Sequence, residues 1–535
     1  MKEVSILCNR IPLNLTADSV QSIDGGQRLR GRNVSVTFSA APARYLYSGW
    51  QSWSFTGWVD RQHPLRPARP VGLWPQQTDP RYARERRPHG SWYGAVEMPD
   101  GQVIFLGALG LDSHVLLDGQ TLRGWYEEGE GEWWLACGEE RALLARYAAL
   151  LGERLGQGRV ASPPRVWCSW YSLYTEIHEA QLLKILADAG DLPFDVFQID
   201  DGWQVRIGDW EANEKFPHGM AYLAERIRES GRRAGLWLAP LLVVPSASLY
   251  RRHRDWLLHD EKGRLVSAGF NWGEPLYALD TTHPAVLDWL ADLMRKVRAW
   301  GYDYLKLDFL YAGALPGKRY RPVPREAAYR QGLQVIRQAL GDAYLLTCGA
   351  PILPSLGLCD GIRVGPDVAE HWTTYRDDVL LRNFTIPGGR NALRTTLHRL
   401  WLRPLVHTDP DVVYFRARLN HLTDAQKALL QDVAQICGFK ATSDIPAWLE
   451  EEERQALRRF LEHQPRIEQV GRHLWLLDGR LVDFAPHITL PPPASWLVNL
   501  QGALLGALAD VRPLYRLFDS LGRAQWRKTQ QANPV

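Results

Sequence analysis

No stretch of these 535 residues is apolar over the ~20 positions needed to cross a bilayer, so no membrane partner is expected. The opening Met1-Lys2-Glu3-Val4-Ser5-Ile6-Leu7 lacks the apolar run of a secretion signal, which leads to a cytoplasmic expectation. Cysteine is sparse and dispersed: Cys8, Cys137, Cys168, Cys348, Cys359 and Cys437 show no CxxC pair and no metal-ligand spacing. That pattern excludes a disulfide framework and fits free thiols in a reducing compartment. Concentrated basic tracts are missing too. With a net charge of +3 and only short clusters such as Arg251-Arg252 and Arg84-Glu85-Arg86-Arg87, nucleic acid is not an expected partner. There is no low-complexity tract, and no internal repeat beyond an alternation of strand-like and helix-like segments.

What is abundant is aromatic surface, with 23 Trp and 20 Tyr. Flat aromatic faces pack well in large cores, and they also stack on the apolar faces of sugar rings. Composition alone leaves both readings open. The length exceeds what one core supports, so two or three domains are expected.

Residues 1–155 read as an all-β unit. Short runs such as Val34-Ser35-Val36-Thr37-Phe38 and Val103-Ile104-Phe105-Leu106 are separated by turn signals at Asp24-Gly25-Gly26 and Pro99-Asp100-Gly101. A β-sandwich is the expected architecture. Within it, Gly49-Trp50-Gln51-Ser52-Trp53-Ser54 sets two Trp around polar residues; packing at a domain interface and reach into a neighbouring pocket both fit.

After Ser162-Pro163-Pro164 the pattern changes. Strands are expected at 165–170, 194–200, 234–240, 302–308, 343–348, 361–364, 402–407 and 438–442, with amphipathic helices between them. One helix starts at Pro284 and ends at Gly301, and another opens with a capping box at Thr423 and Gln426. This alternation over residues 160–465 predicts a (β/α)8 barrel, whose active site lies at the C-terminal ends of the strands. Residues 466–535 return to short runs such as His473-Leu474-Trp475-Leu476-Leu477, for which a small antiparallel β-domain is expected, with a polar tail after Arg523. The whole is a multidomain α/β plus β chain.

The chemistry concentrates at strand ends. In Tyr302-Asp303-Tyr304-Leu305-Lys306-Leu307-Asp308, period two puts Lys306 and Asp308 on one side of a buried strand. Buried charge needs a use or a partner, so we read Asp308 as a nucleophile and Lys306 as the cation that keeps it ionised. Gln198-Ile199-Asp200-Asp201-Gly202 sets adjacent carboxylates at another strand end, suited to sugar hydroxyls, to a divalent metal, or to nothing more than a solvated turn. Arg363 sits on a buried strand and requires an anion. Asp367, after Gly365-Pro366, is either a helix cap or the second carboxyl of a glycosidase pair with Asp308. Trp167-Cys168-Ser169-Trp170-Tyr171, Leu236-Trp237-Leu238-Ala239-Pro240 and Thr347-Cys348-Gly349-Ala350-Pro351 add aromatic walls and a close-approach glycine at the same rim.

These motifs resemble the retaining α-galactosidases of glycoside hydrolase family 36, in the compact bacterial and thermophilic form. The resemblance runs in order through Trp167-Cys168-Ser169-Trp170-Tyr171, Phe197-Gln198-Ile199-Asp200-Asp201, the segment Tyr304 to Gly317, Arg363-Val364-Gly365-Pro366-Asp367 and Asp409-Pro410-Asp411. It implies a nucleophile at Asp308 and a general acid/base at Asp367, their carboxyls ~5–7 Å apart, near the retaining range. It implies contacts from Asp200 and Asp201 to the 4- and 6-hydroxyls of galactose, and from Lys306 and Arg363 to ring hydroxyls. Trp170 and Trp237 would line the pocket, Cys348 and Gly349 would lie by the 2-hydroxyl, and Trp53 would stand near the entrance. The substrate would be a small oligosaccharide of the melibiose or raffinose type, with no metal and no cofactor. The segment Asp367-Val368-Ala369-Glu370-His371-Trp372 departs from the family pattern after Asp367, which leaves leaving-group preference open. Homo-oligomerisation is open as well. The rival expectations are Schiff-base chemistry on Lys306, a non-catalytic galactoside-binding protein, an α-N-acetylgalactosaminidase and a transgalactosylase.

Overall fold

The computed structural model describes residues 2–61, 65, 71–156, 162–492 and 494–509. Two antiparallel sheets come first. One orders its strands Lys2–Cys8, Ile11–Ala17, Asn33–Phe38, Thr121–Tyr126, Ser113–Asp118 and His89–Ser91. The other orders Ser19–Ile23, Gly26–Arg30, Glu132–Gly138, Val103–Ala108, Tyr93–Glu97, Arg44–Tyr47 and Gly57–Asp60. Alternate residues of the first, such as Leu13, Leu15, Val34 and Val36, share one buried cluster with Leu29, Ile104, Leu106 and Leu135 of the second. The Ile23↔Gly26 pairing leaves Asp24-Gly25 as a two-residue hairpin turn, with Gly25 at φ +77.

The all-β expectation for residues 1–155 fails at its end, because Glu140–Leu155 is a 16-residue helix. Leu143, Leu144, Tyr147, Ala148, Leu150 and Leu151 recur at helical spacing and are buried, and the Glu139 carboxylate caps the first turn by accepting from the Arg141 and Ala142 amides.

Eight parallel strands follow: β1 (Arg165–Cys168), β2 (Val196–Ile199), β3 (Arg233–Leu238), β4 (Tyr304–Leu307), β5 (Tyr344–Thr347), β6 (Gly361–Arg363), β7 (His407–Asp409) and β8 (Lys440–Thr442). Each from β1 to β6 pairs with the next, and β8 pairs with β1, so the sheet curls on itself. A parallel bridge between Val413 and Thr442 links the chain after β7 to β8. The result is barrel-like. Pro284–Ala299 and Asp424–Cys437 are helices as expected, the second with the full Thr423–Gln426 capping box.

Seven strands fall within or beside their expected spans, but β7 is shifted from 402–407 to His407–Asp409. The amides of Leu405 and Val406 donate to the Leu402 carbonyl, and Pro404 has no N–H for a ladder, so 402–406 closes a turn instead. The shift brings Asp409-Pro410-Asp411 to the C-terminal end of β7.

Beyond the parallel sheet, Ile467–Gln469, Leu474–Leu477 and Arg480–Asp483 form an antiparallel sheet with Asp478-Gly479 as its tight turn. The expectation of strands throughout this region is corrected at Trp496–Ala509, whose Leu- and Ala-rich sequence forms a helix. The tail after Arg523 lies outside the described residues. All six cysteines are free thiols, and Cys8 and Cys137, far apart in sequence, are in hydrogen-bonding contact. Among the described residues, no helix is long and apolar enough to cross a membrane.

A buried polar seam joins the first two sheets to the helix Arg325–Leu340. The Glu326 carboxylate accepts from the indole N–H groups of Trp50 and Trp92, both at 3.0 Å, and from the Asp112 amide at 2.6 Å. Arg325 pairs with Asp79 at 2.5 Å and Glu127 at 2.8 Å. Substituting Glu326→Ala strands three buried N–H donors, and we expect a loss of about 3–5 kcal/mol in urea unfolding. A loss under about 1 kcal/mol would mean that water replaces the carboxylate and the seam is not structural.

Candidate active site

The strands of the parallel sheet present their polar residues at one rim, their C-terminal ends. At the end of β2, Asp200 accepts from Lys306 Nζ at 2.9 Å, from Gln198 Nε2 at 2.7 Å and from the Cys168 thiol at 3.4 Å. The Lys306 and Asp200 side chains are 6% and 3% exposed. Burial works most strongly against the Lys306 ammonium, but Asp200, together with Cys168 and Cys348, outweighs it and the lysine's pKa is raised. Period two therefore does carry Lys306 and Asp308 to the same rim, yet the direct partner of the lysine is Asp200. The expected pairing of Lys306 with Asp308 is replaced by this bridge.

Asp308 follows β4 directly. It accepts from the Trp237 indole N–H at 3.0 Å and from the Phe309 amide at 2.8 Å. Phe309 itself adopts a left-handed conformation, φ +54.

Asp201, beside Asp200, accepts from Gln204 Nε2 at 2.6 Å and from the Trp272 indole N–H at 2.7 Å. Burial pushes its pKa up to about 6, with the charges of Asp200 and Asp308 adding to the rise. Trp272 is delivered by a hairpin, Ser267–Asn271 with Glu274–Ala278, whose turn residues Trp272 and Gly273 lie at φ +51 and +76. Its ring packs against Phe309 at 5.1 Å and Trp237 at 6.2 Å.

At the end of β6, the Arg363 guanidinium is shared among three carboxylates: Asp367 at 3.1 Å, Asp409 at 3.3 Å and Asp411 at 2.5 Å. Asp367 keeps 32% of its side chain accessible, the most open of these acids. Its pKa is raised, chiefly by burial and further by the charge of Asp308, against the opposing pull of Arg363. Asp411 also accepts from the Tyr171 hydroxyl and, at 2.9 Å, from the Val368 amide.

At the end of β5, Cys348 is buried and Gly349 lies at φ +52. A Cβ on Gly349 would stand 2.8 Å from the Trp53 ring and 3.1 Å from the Phe309 nitrogen, so both the backbone conformation and the space require glycine. Trp53 thus arrives from the first sheets and packs edge-on against Phe309 at 5.1 Å. Trp170 lies just past β1, half-buried, with its ring edge-to-face on Tyr174 at 5.1 Å.

A family model described as Melibiase matches residues 141–339. A curated relative, α-galactosidase AgaA of Geobacillus stearothermophilus, is 31% identical over 208 residues, which is 36% of this chain and 27% of that protein. The chain thus aligns with little more than a quarter of that relative's length. Among solved structures, TtGalA, an α-galactosidase from Thermus thermophilus in complex with p-nitrophenyl α-D-galactopyranoside, superposes with a TM-score of 0.87 at 48% identity. That alignment covers 91% of this chain and 100% of the other. The same enzyme in complex with stachyose gives a TM-score of 0.82 at 49% identity, covering 86% and 99%. The chain belongs to the α-galactosidases of glycoside hydrolase family 36.

In this family 36 chain, every residue singled out from the sequence stands at or beside this rim. Reading the sequence missed Trp272, Gln204 and Arg399, and passed over Tyr171, Asp409 and Asp411 as carriers of resemblance without a role. The Asn271-Trp272-Gly273 turn was a usable signal, since a bulky aromatic in a tight hairpin turn is hard to explain by packing alone.

Among the described residues, one trio has metal-ligand proximity, Asp79 with His114 and Glu127. The Arg325 guanidinium already bonds Asp79 and Glu127, which gives the cluster its counter-charge. At the rim, the oxygens of Asp200 and Asp201 face N–H and S–H donors, a surrounding suited to hydroxyl recognition.

Arg399 holds the Trp53 loop in place. Its buried guanidinium donates to five carbonyls: Ser52 at 2.6 Å, Val364 at 2.9 Å, Gln51 and Ser54 at 3.0 Å, and Gly49 at 3.1 Å. Burial lowers its pKa to about 10, so it stays charged at neutral pH. We expect Arg399→Met to remove this shared donor and speed hydrogen exchange at the Ser52 and Ser54 amides by roughly 100-fold. Exchange unchanged within about threefold would show that the loop is held by its own packing.

Proposed function

We propose that the protein is a retaining α-galactosidase that releases terminal α-linked galactose from small oligosaccharides. The observation that carries this reading is the contrast between two carboxyls at one rim. Asp308 is oriented by two N–H donors, and Asp367 has its pKa raised by burial and by the charge of Asp308. A carboxyl with a raised pKa beside one held by hydrogen-bond donors suits the division into proton donor and nucleophile.

In the proposed mechanism, the Asp308 carboxylate attacks the anomeric carbon while Asp367 delivers its proton to the departing oxygen. The glycosidic bond breaks and a galactosyl ester forms on Asp308. Asp367, now a base, takes a proton from water, the water oxygen attacks the anomeric carbon, and Asp308 leaves with the α-configuration restored. Asp200 and Asp201 are assigned to the 4- and 6-hydroxyls, each carboxylate being fixed by donors that leave acceptor capacity toward the sugar. Lys306 and Arg363 complete the ring contacts, Trp170, Trp237 and Trp53 form the walls, and Cys348 and Gly349 adjoin the 2-hydroxyl.

The division into an N-terminal β-sandwich (1–155), a (β/α)8 barrel (160–465) and a C-terminal β-domain (466–535) belongs to the same proposal. The shared cluster of the first two sheets and the closing β8–β1 pairing support it. So does a cytoplasmic setting, supported by six free thiols.

Replacing the nucleophile, Asp308→Ala, is expected to abolish turnover, with azide restoring release of nitrophenol from p-nitrophenyl α-galactoside and yielding the inverted galactosyl azide. Normal activity in that variant would overturn the assignment of Asp308. Replacing the proton donor, Asp367→Ala, should cost roughly 10²–10⁴ in kcat/KM on melibiose, whose leaving group needs a proton, and far less on the nitrophenyl galactoside. In the intact enzyme the rate on melibiose should fall as pH rises through the raised pKa of Asp367, because the proton it donates is then gone. Equal losses on both substrates in Asp367→Ala would remove it from the acid role.

A further inference from the structure

We propose that Asp411 is a positioning residue that fixes the proposed acid/base Asp367 and, by sharing Arg363 with it, sets how readily Asp367 gives up its proton. The inference rests on the assignment of Asp367 above.

Asp411 is buried, and each of its oxygens faces donors. One accepts from Arg363 Nη2 at 2.5 Å and from the Val412 amide at 2.8 Å. The other accepts from the Tyr171 hydroxyl and from the Val368 amide at 2.9 Å. Its own amide donates to Asp409 at 2.8 Å. One carboxylate thus ties together the chain after β1, the end of β6, the loop after β6 and the end of β7. Val368 is the residue that follows Asp367, so the acid/base is one peptide away from an Asp411 hydrogen bond. The backbone at Asp411 lies at φ +87, a conformation that an L-residue holds only at a cost and that clusters at functional sites.

The electrostatic role follows from the fork of Arg363. Engaged with Asp367 alone, the guanidinium would hold that carboxyl ionised and useless as a proton donor. Asp411 and Asp409 take the other two edges of the fork and offset its charge. Asp367 also faces Asp308, Lys306, Asp200, Tyr171, Tyr174 and Cys348, and Asp411 faces Cys168 and Tyr414; the substitutions below leave all of these but Tyr171 in place. Removing the charge of Asp411 leaves Arg363 less compensated and lifts direct repulsion from Asp367. Both changes favour ionised Asp367.

The test uses full-length Asp411→Asn and Tyr171→Phe, with kcat/KM measured against pH on melibiose and on p-nitrophenyl α-galactoside. In Asp411→Asn the alkaline limb on melibiose should move down by about 1 pH unit, with a roughly tenfold loss above that limb. The nitrophenyl galactoside, whose departure needs little protonation, should stay within about threefold. Tyr171→Phe removes one donor that stabilises the Asp411 anion and should move the limb the same way by less; it carries the test alone if Asp411→Asn fails to fold. An unmoved limb, or equal losses on both substrates, would overturn the inference. Should Asp367→Ala itself lose both substrates equally, the assignment of Asp367 fails first. A selective loss there with no shift in the Asp411 and Tyr171 variants sinks only the present inference.

Discussion

Six carboxylates face two cations at the rim of the parallel sheet, and most of the local structure answers that imbalance. Asp200, Asp201, Asp308, Asp409 and Asp411 are buried, Asp367 is partly so, and Lys306 and Arg363 are the buried cations among them. A buried carboxylate without compensation costs several kcal/mol. The chain spreads what it has. Lys306 goes wholly to Asp200, and Arg363 is divided among three acids. Asp201 and Asp308 are held by neutral donors, the indoles of Trp272 and Trp237, the Gln204 amide and the Phe309 N–H. The surplus negative charge appears as raised pKa values at Asp201 and Asp367, and at Asp411, which burial and the charges of Asp367 and Asp409 push up to about 7. A site with excess negative field, walled by aromatics, favours a transition state that develops positive charge on a sugar ring.

Holding that surplus in place takes backbone conformations that a relaxed chain avoids. Phe309 and Trp272 are bulky residues at positive φ, and each supplies one of the two N–H donors to a buried carboxylate. Gly349 gives up a side chain so that Trp53 and Phe309 can meet. Such positions persist only where the surroundings over-determine them. Arg399 spans the Trp53 loop and the Val364 carbonyl, and the Glu326 seam fixes Trp50 three residues before Trp53. The first two sheets are therefore part of the site's support, because one of its aromatic walls is theirs.

Much of this was legible in the sequence, for identifiable reasons. Seven of the eight parallel strands announce themselves as short apolar runs bounded by Gly, Pro or Asp. Lys306, Asp308, Arg363, Asp200 and Asp201 stand out because charge on such runs is costly. Strand β7 was misplaced because Leu402-Arg403-Pro404-Leu405-Val406 is as apolar as a strand, while Pro404 and the turn bonds to Leu402 decide otherwise. Asp411 could not be weighed for a different reason. Its partners Tyr171, Arg363 and Val368 lie 240, 48 and 43 residues away, and only the curling of the sheet brings them to it. Trp272 lies in a hairpin inserted between β3 and β4, so the β/α alternation that locates the other residues says nothing about it.

The bond that sequence reasoning assigned to the wrong partner makes chemical sense where it is found. An ammonium bound directly to the proposed nucleophile would hold Asp308 ionised, but it would also withdraw electron density from the oxygen that must attack. Two neutral N–H donors orient the carboxylate without neutralising it. Lys306, two residues away, still occupies the same face, and its direct bond to Asp200 has a second consequence. It gives the buried Asp200 carboxylate, the proposed acceptor for sugar hydroxyls, a direct counter-charge at 2.9 Å. Asp200 thus receives the full cation, and Asp308 is left to neutral donors. Two residues that period two places side by side are separated in function by which neighbour the lysine reaches.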